Sequence, residues 1–337
     1  MRRYLIPIFV LFLIFFGGGV LLLNTTWISS ASIPHSLATY FPGLKLESFK
    51  VGRQIFIPPN SLQLNNISLT VEQSGTKYEI MINQAAVDDM LSYLKLQKQM
   101  TLSLKGASVR WDMGAVDNLN AKFLVDFQPK RKMNVDGILA GKSLQVGRYL
   151  LKEFTTRLRG TEKKFQLFEF AAKGYGGTFR GQFDLELAPQ SNYIFWLEFS
   201  GLSGAGLTVL DESLFGGVHG EIAGTLRLLG QDRQITLLAV SLTMPKGGTL
   251  DGALMRHLAE KYADEQQRAK ILGGLESSPS QFPVDKAALN LHSTSEFRSE
   301  CSFQLESKSN DLFLIRSVNL NLEKGFKHFL LEEDWQI

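Results

Sequence analysis

A single cysteine, Cys301, stands in a chain of 337 residues, which excludes an internal disulfide framework and any zinc site built on paired thiolates. Only 10 prolines are present, too few for a Pro-rich linker or a biased, disordered composition. Neither sign of charge dominates, since 36 Lys and Arg stand against 33 Asp and Glu. A nucleic-acid binder carries a basic stripe, so nucleic acid is not an expected partner. The five histidines, His35, His219, His257, His292 and His328, show no metal-ligand spacing, and no H-E-x-x-H occurs. Gly201-Leu202-Ser203-Gly204-Ala205 approaches a nucleophile elbow but lacks its final glycine and its strand–helix setting. Gly174-Tyr175-Gly176-Gly177 and Gly204-Ala205-Gly206 fit neither a dinucleotide fingerprint nor a P-loop; they read as turns and strand starts. Asp88-Asp89 suits the start of a short helix better than a metal site. The expectation is a protein without catalytic residues, metal ligands or cofactor.

One long apolar run is present. Leu5 to Leu23 carries no charge. As a helix it spans about 28 Å, close to the ~30 Å thickness of bilayer hydrocarbon. Arg2 and Arg3 precede it, and no further basic residue appears until Lys45. The positive-inside bias then places residues 1–4 in the cytoplasm, 5–23 in the membrane as a single-pass anchor, and the body outside. The alternative is a cleaved signal peptide, for which Ser29-Ser30-Ala31 offers small residues, although the run exceeds the usual 7–15-residue apolar core. Under the anchor reading Phe12→Arg costs about 2.5–3.5 kcal/mol of insertion. Membrane fractionation checks this: the wild type sediments with membranes and the variant does not.

After a linker at 24–43, the body at 44–337 reads as strand after strand. Period-2 alternation marks a β-strand with one apolar face. Over 178–187 it places Phe179, Phe183 and Leu185 opposite Arg180, Gln182 and Asp184. Over 192–200 it aligns Tyr193, Phe195, Leu197 and Phe199, and over 218–228 it aligns Ile222 and Leu226. About 16 strands are expected in all. Between Leu64 and Ile67 the apolar phase slips by one, which predicts a β-bulge. Helices are expected over Ala85–Leu96, over Gly206–Leu214 and, the longest, over Asp251–Leu272. That last one carries a Leu254, Leu258, Tyr262, Ala269, Leu272 stripe and is closed by Gly273-Gly274. His219 and His292 fall on polar phases, and Cys301 on an apolar one. A faint repeat pairs Tyr175-Gly176-Gly177 with Phe215-Gly216-Gly217, forty residues on.

Many strands with one strongly apolar face have two physical solutions. Either the faces close on each other as a filled sandwich or barrel core, or the sheet curls into an open trough with an apolar inside. Pattern alone favours the filled core.

The basic start, the single apolar run, GGTFRGQFDLELAP at 176–189, FSGL at 199–202, FGGVHGEIAGTLRLLG at 215–230, PKGGTLDGALMRHLAEKY at 245–262 and FPVDKAALNLHS at 282–293 together resemble the AsmA-like family of bacterial envelope proteins. The resemblance covers roughly 170–325 together with the anchor. It implies a mostly β fold: an N-terminal transmembrane helix followed by a curled, taco-like antiparallel β-groove with a few helices. It also implies an inner-membrane protein with a periplasmic body, which shields acyl chains and contributes to phospholipid transport or outer-membrane assembly. The implied partners are phospholipid or another acyl lipid, the inner membrane and other envelope proteins. The lipid-contacting residues would be Phe179, Phe183, Leu185, Tyr193, Phe195, Leu197, Phe199, Ile222 and Leu226. The competing reading is a non-catalytic scaffold of envelope assembly, or of a type II secretion system, with a filled β core.

Overall fold

The computed structural model describes residues 44–316, apart from connections at 58–60, 74, 90–98, 129–131, 162, 187–190, 210–214, 232–233, 263–264, 278–279, 294–298 and 307–311. The expected anchor at 5–23, its flanks at 1–4 and 24–43, and a strand expected at 317–323 lie outside the described residues. Among the described residues no helix is long and apolar enough to cross a membrane. The chain divides into two compact units between Glu169 and Phe170. Both are built mostly of antiparallel strands, with few helices.

The first unit is a meander. Strands β1 (Leu44–Ile57), β2 (Ser61–Gln73), β3 (Thr76–Asp88), β4 (Gln99–Trp111), β5 (Gly114–Gln128), β6 (Lys132–Val146) and β7 (Tyr149–Gly160) each pair antiparallel with the next in sequence. β8 (Lys164–Gly174) follows through a turn closed by Thr161 N donating to Lys164 O at 2.8 Å. The hydroxyl of Thr156, a buried polar residue, donates to Phe168 O at 3.1 Å, so its burial leaves no orphan group. The alternation is close to complete: Tyr78, Ile80 and Ile82 are each 1% exposed, while Met81 between them is 48% exposed. Charges occupy the solvated side, where Lys77 meets Glu47 at 2.9 Å and Arg159 meets Asp136 at 3.1 Å. The hydrogen bond between Lys77 and Glu47 holds the carboxyl below its ordinary range and raises the ammonium above its own. Exposed pairs of this kind add little stability.

The bulge expected near Leu64–Ile67 proves to be one point on a longer crease. Asn66 adopts φ 53° and drops out of the ladder, so that Asn65 pairs with Gln84 and Ile67 with Ile82. The same omission recurs at Gly52 in β1, Asn83 in β3, Gly106 in β4, Asn118 in β5 and Glu153 in β7. Gly106, Asn118 and Glu153 have φ of 61°, 51° and 49°. Asn and Gly are the residues that tolerate this left-handed conformation. Asparagine side chains replace part of the lost ladder: Asn120 Oδ1 accepts from Gly106 N at 3.0 Å, and Asn120 Nδ2 donates to Asn118 O at 3.4 Å. Skipping one residue keeps the same face apolar on both sides of the crease. Leu64 and Ile67, Ile82 and Ala85, and Leu104 and Ala107 are all buried.

This corrects one expectation. Ala85 to Asp88 are strand, the second half of β3, and not the start of a helix. The spacing from Ile82 to Ala85 imitates a helical period only because Asn83 shifts the phase. Residues 90–96 lie outside the described residues.

In the second unit β9 (Gly177–Glu186), β10 (Asn192–Ser203), β11 (Val218–Gln231), β12 (Gln234–Thr243), β15 (Lys286–Ser293), β16 (Ser299–Glu306) and β17 (Leu312–Arg316) pair in that order, all antiparallel. The first residues of β11 instead pair with β13 (Gly248–Asp251), which pairs with β14 (Gln281–Val284). A one-turn helix α1 (Gly204–Leu207) starts at Ser203, whose Oγ accepts from Gly206 N at 2.9 Å. It overlaps the helix expected over 206–214 only at Gly206 and Leu207; 210–214 lie outside the described residues.

The long helix expected over 251–272 is two helices. Asp251 closes β13, α2 runs Gly252–Tyr262, and α3 runs Glu265–Ser277. The glycine pair lies inside α3, because packing on β14 overrides the local signal: a Cβ at Gly274 would stand 3.2 Å from the Phe282 ring. The helix ends instead shortly before Pro279. The buried seam is Met255, Ala259, Ile271 and Leu275, on helices packed against the β13–β14 pair, whose Leu250, Phe282 and Val284 are buried too. Leu254 and Leu272 are half-buried and Ala269 is exposed, so the seam lies one residue after the expected stripe in α2 and one residue before Leu272 in α3. The side chains of Leu258 and Tyr262 lie outside the described residues. Ile271→Ala removes a side chain with no exposure and is expected to cost about 2–5 kcal/mol. Ala269→Ser should leave stability nearly unchanged. Denaturant unfolding of both variants checks the seam.

Candidate apolar site on the strands of the second unit

Register, more than burial, assembles the candidate site. Phe183 of β9 stands opposite Phe195 of β10, which stands opposite Leu228 of β11 and then Leu238 of β12. A second row runs Gly181, Leu197, Leu226, Val240, and a third runs Phe179, Phe199, Gly224, Leu242. Leu185 opposes Tyr193, which opposes Gly230. Past a bulge at Gly201, φ 71°, Leu202 opposes Ile222. All nine residues expected to contact lipid therefore lie on one face of three adjacent strands. Leu228, Leu238 and Leu242 belong to the same rows and were not among them. The same alternation marks them, but their place depends on how β11 and β12 align.

The glycines in these rows are matched to rings. A Cβ at Gly230 would fall inside the Tyr193 ring, and one at Gly224 would lie 2.8 Å from Cζ of Phe199. Phe123 covers Gly137 and Phe154 covers Gly141 in the same way in the first unit, each across one pair of strands. An aromatic laid over a facing glycine recovers the apolar contact that the glycine lacks. Phe179 and Phe199 meet with ring centroids 6.1 Å apart. Burial raises the Tyr193 phenol above its ordinary value.

Burial divides the face. Leu185, Tyr193, Leu228 and Leu238 are sealed at 2% exposure or less. Phe179 and Ile222 are also buried, whereas Phe183, Phe195, Leu197, Phe199 and Leu226 are only half-buried. Phe183 pairs with Phe195 and Leu197 with Leu226, while Phe199 pairs with the buried Phe179. In the first unit the corresponding positions of β2, β3 and β4, from Leu62 to Val109, are sealed. Protein-family models, curated proteins and solved structures yield no match to this chain.

Nothing in this patch titrates near neutrality, and its chemistry is that of apolar contact. Among the described residues no three His, Cys, Asp or Glu side chains gather as metal ligands. His219 Nε2 lies 2.8 Å from Asp251 Oδ1, with both side chains partly exposed. That contact ties β11 to β13 beside their ladder.

Proposed function

We propose that this protein shields lipid acyl chains on the apolar face of β9 to β11, as an inner-membrane-anchored protein with its body in the periplasm. In this reading it contributes to phospholipid transport or outer-membrane assembly. The observation that carries the reading is the half-buried patch of Phe183, Phe195, Leu197, Phe199 and Leu226, apolar throughout and continued on β12 by the half-buried Val240 and Leu242. Large apolar side chains left partly open in a contiguous patch mark a binding surface. The likeness of 170–325 to the AsmA-like family and the apolar run at 5–23 support the same reading. The curl of a β-groove is part of the proposal. In the first unit a crease crosses the strands and one face is buried with no described helix against it, as when the two halves of a bent sheet face each other. Moving an acyl chain between apolar sites is nearly neutral, whereas exposing each CH₂ to water costs about 0.8 kcal/mol. Such a face lowers the barrier to movement and sets no direction.

The scaffold reading has one observation of its own, the sealed face of β2, β3 and β4, which leaves no room for a ligand there. Mass spectrometry of the detergent-extracted protein, joined to a photo-crosslinker at position 195, tests the proposal. Adducts of acyl lipid at 195 are expected. Adducts only to the protein's own strands, with no co-purifying lipid, would leave the scaffold.

A further inference from the structure

The reverse face of the same strands carries a surface of different chemistry, which the lipid reading does not use. Residues on the other phase of β9 to β12 and β15, joined by Val240 of the apolar phase, line a cavity of about 700 Å³, within the ~300–1,000 Å³ usual for small-molecule sites. One row crosses it in register: Gln182 opposes Trp196, Trp196 opposes Arg227, Arg227 opposes Ala239, and Ala239 opposes His292. Ala239 is by far the smallest of the five and leaves a depression between Arg227 and His292. At about 4.8 Å per strand the row is about 19 Å long. A parallel row of Thr225, Ser241 and Asn290 adds neutral polar groups. Ser241 Oγ donates to Asn290 Oδ1 at 2.8 Å, which turns the Asn290 amide nitrogen to a further acceptor.

The lining holds a flat aromatic, the aliphatic residues Ile194, Ala239 and Val240, an imidazole, amides, hydroxyls, one permanent cation and no carboxylate. Arg227 makes no ion pair with an acid among the described residues. An acyl chain would leave these polar groups unpaired, which costs free energy at each one. A nucleic-acid strand needs a track of cations along its phosphates, and one arginine is not a track. A sugar ring matches the set. Its C–H groups lie against the negative face of an indole, and its hydroxyls pair with amides. An acidic substituent finds a guanidinium on the next strand, with the geometry for two parallel hydrogen bonds. We propose that the cavity on the reverse face of β9–β12 and β15 binds an acidic oligosaccharide, with a ring on Trp196 and its carboxylate or phosphate group on Arg227.

The proposal is independent of the lipid reading, because Trp196 and Arg227 lie on the opposite phase of their strands from the nine candidate lipid contacts. The full-length protein in detergent is presented to a printed array of neutral and acidic saccharides. The best acidic binder and its neutral counterpart are then titrated calorimetrically. Binding of an acidic saccharide is expected. Trp196→Ala should weaken it at least tenfold and Trp196→Phe should restore most of it. Arg227→Gln should weaken the acidic saccharide at least tenfold and change the neutral one less than twofold. Co-purified lipid, measured on the same samples, should not change. No binding to any saccharide on the array overturns the proposal. So does binding that survives Trp196→Ala in a folded protein, or binding of inorganic phosphate as strong as that of the sugar.

Discussion

Ile80→Asp is expected to unfold the first unit, and Met81→Asp, one residue on, to leave it folded. Ile80 is 1% exposed in the middle of the meander, and Met81 is 48% exposed on the other face. The first change gives up about 1.5–3 kcal/mol of apolar burial and places an unpaired carboxylate where it costs several kcal/mol more. Against a total stability of about 5–15 kcal/mol that is enough to abolish the fold, or to leave it folded only when the acid is protonated. The second change puts a charge among charges, beside Glu79 and Arg110, which oppose each other on the same pair of strands, and should move stability by about 0.5 kcal/mol or less. Circular dichroism and urea unfolding of the two variants read the difference. Equal damage from both would mean that the sheet is covered on both faces.

Phe195→Glu carries the second large effect, and it falls on lipid rather than on folding. The side chain is half-buried between Phe183 and Leu228, so a carboxylate there keeps water within reach. The fold should survive with a loss of about 1–3 kcal/mol, the range for a buried ring's lost contacts. An acyl chain on the patch would instead have to pass a charge in the centre of its track, and bound lipid should fall to background. The measurement is lipid per protein by mass spectrometry, with the melting temperature taken on the same sample. A variant that melts as the wild type and retains its lipid would show that position 195 is not on the track. A wild type free of lipid would point to the filled scaffold.

Most of the strand order could be read from the sequence because the signal is local. Phe179, Phe183 and Leu185 need only their own strand's alternation to share a side, and the same holds for the other six candidate residues. The failures arose where a distant partner decides the outcome. Ala85 and Val87 looked helical because the left-handed residues of the crease shift the apolar phase, and only the pairing of β2, β3 and β4 shows that Asn83 is skipped. Asn66 and the slip from Leu64 to Ile67 could be read; Gly106 and Asn118 could have been, since each lies in a polar or glycine step between two apolar runs of opposite phase. Gly273-Gly274 signals a helix end, yet Phe282 packs against that turn and the helix continues. β13 was absorbed into the helix because four residues carry too little alternation to register. How open the candidate patch is depends on what stands opposite it, and no single strand encodes that. The reverse-face cavity needs β12 to pair with β15 across two intervening strands, a step that period-2 reading does not reach.

The first unit joins every strand from β1 to β7 to its sequence neighbour, with no crossover. Its natural increment of growth is therefore the hairpin. Duplicating or deleting one hairpin changes the sheet's width by about 9.6 Å and returns the chain to the side it left, so every downstream strand keeps its orientation. Loss of a single strand would reverse all that follow. An inserted hairpin must also carry an Asn or Gly near the middle of one of its strands to continue the crease. Relatives that differ in reach should then differ by whole pairs of strands, each pair bearing that mid-strand residue, and the length of such a protein becomes a quantity that evolution can count in twos.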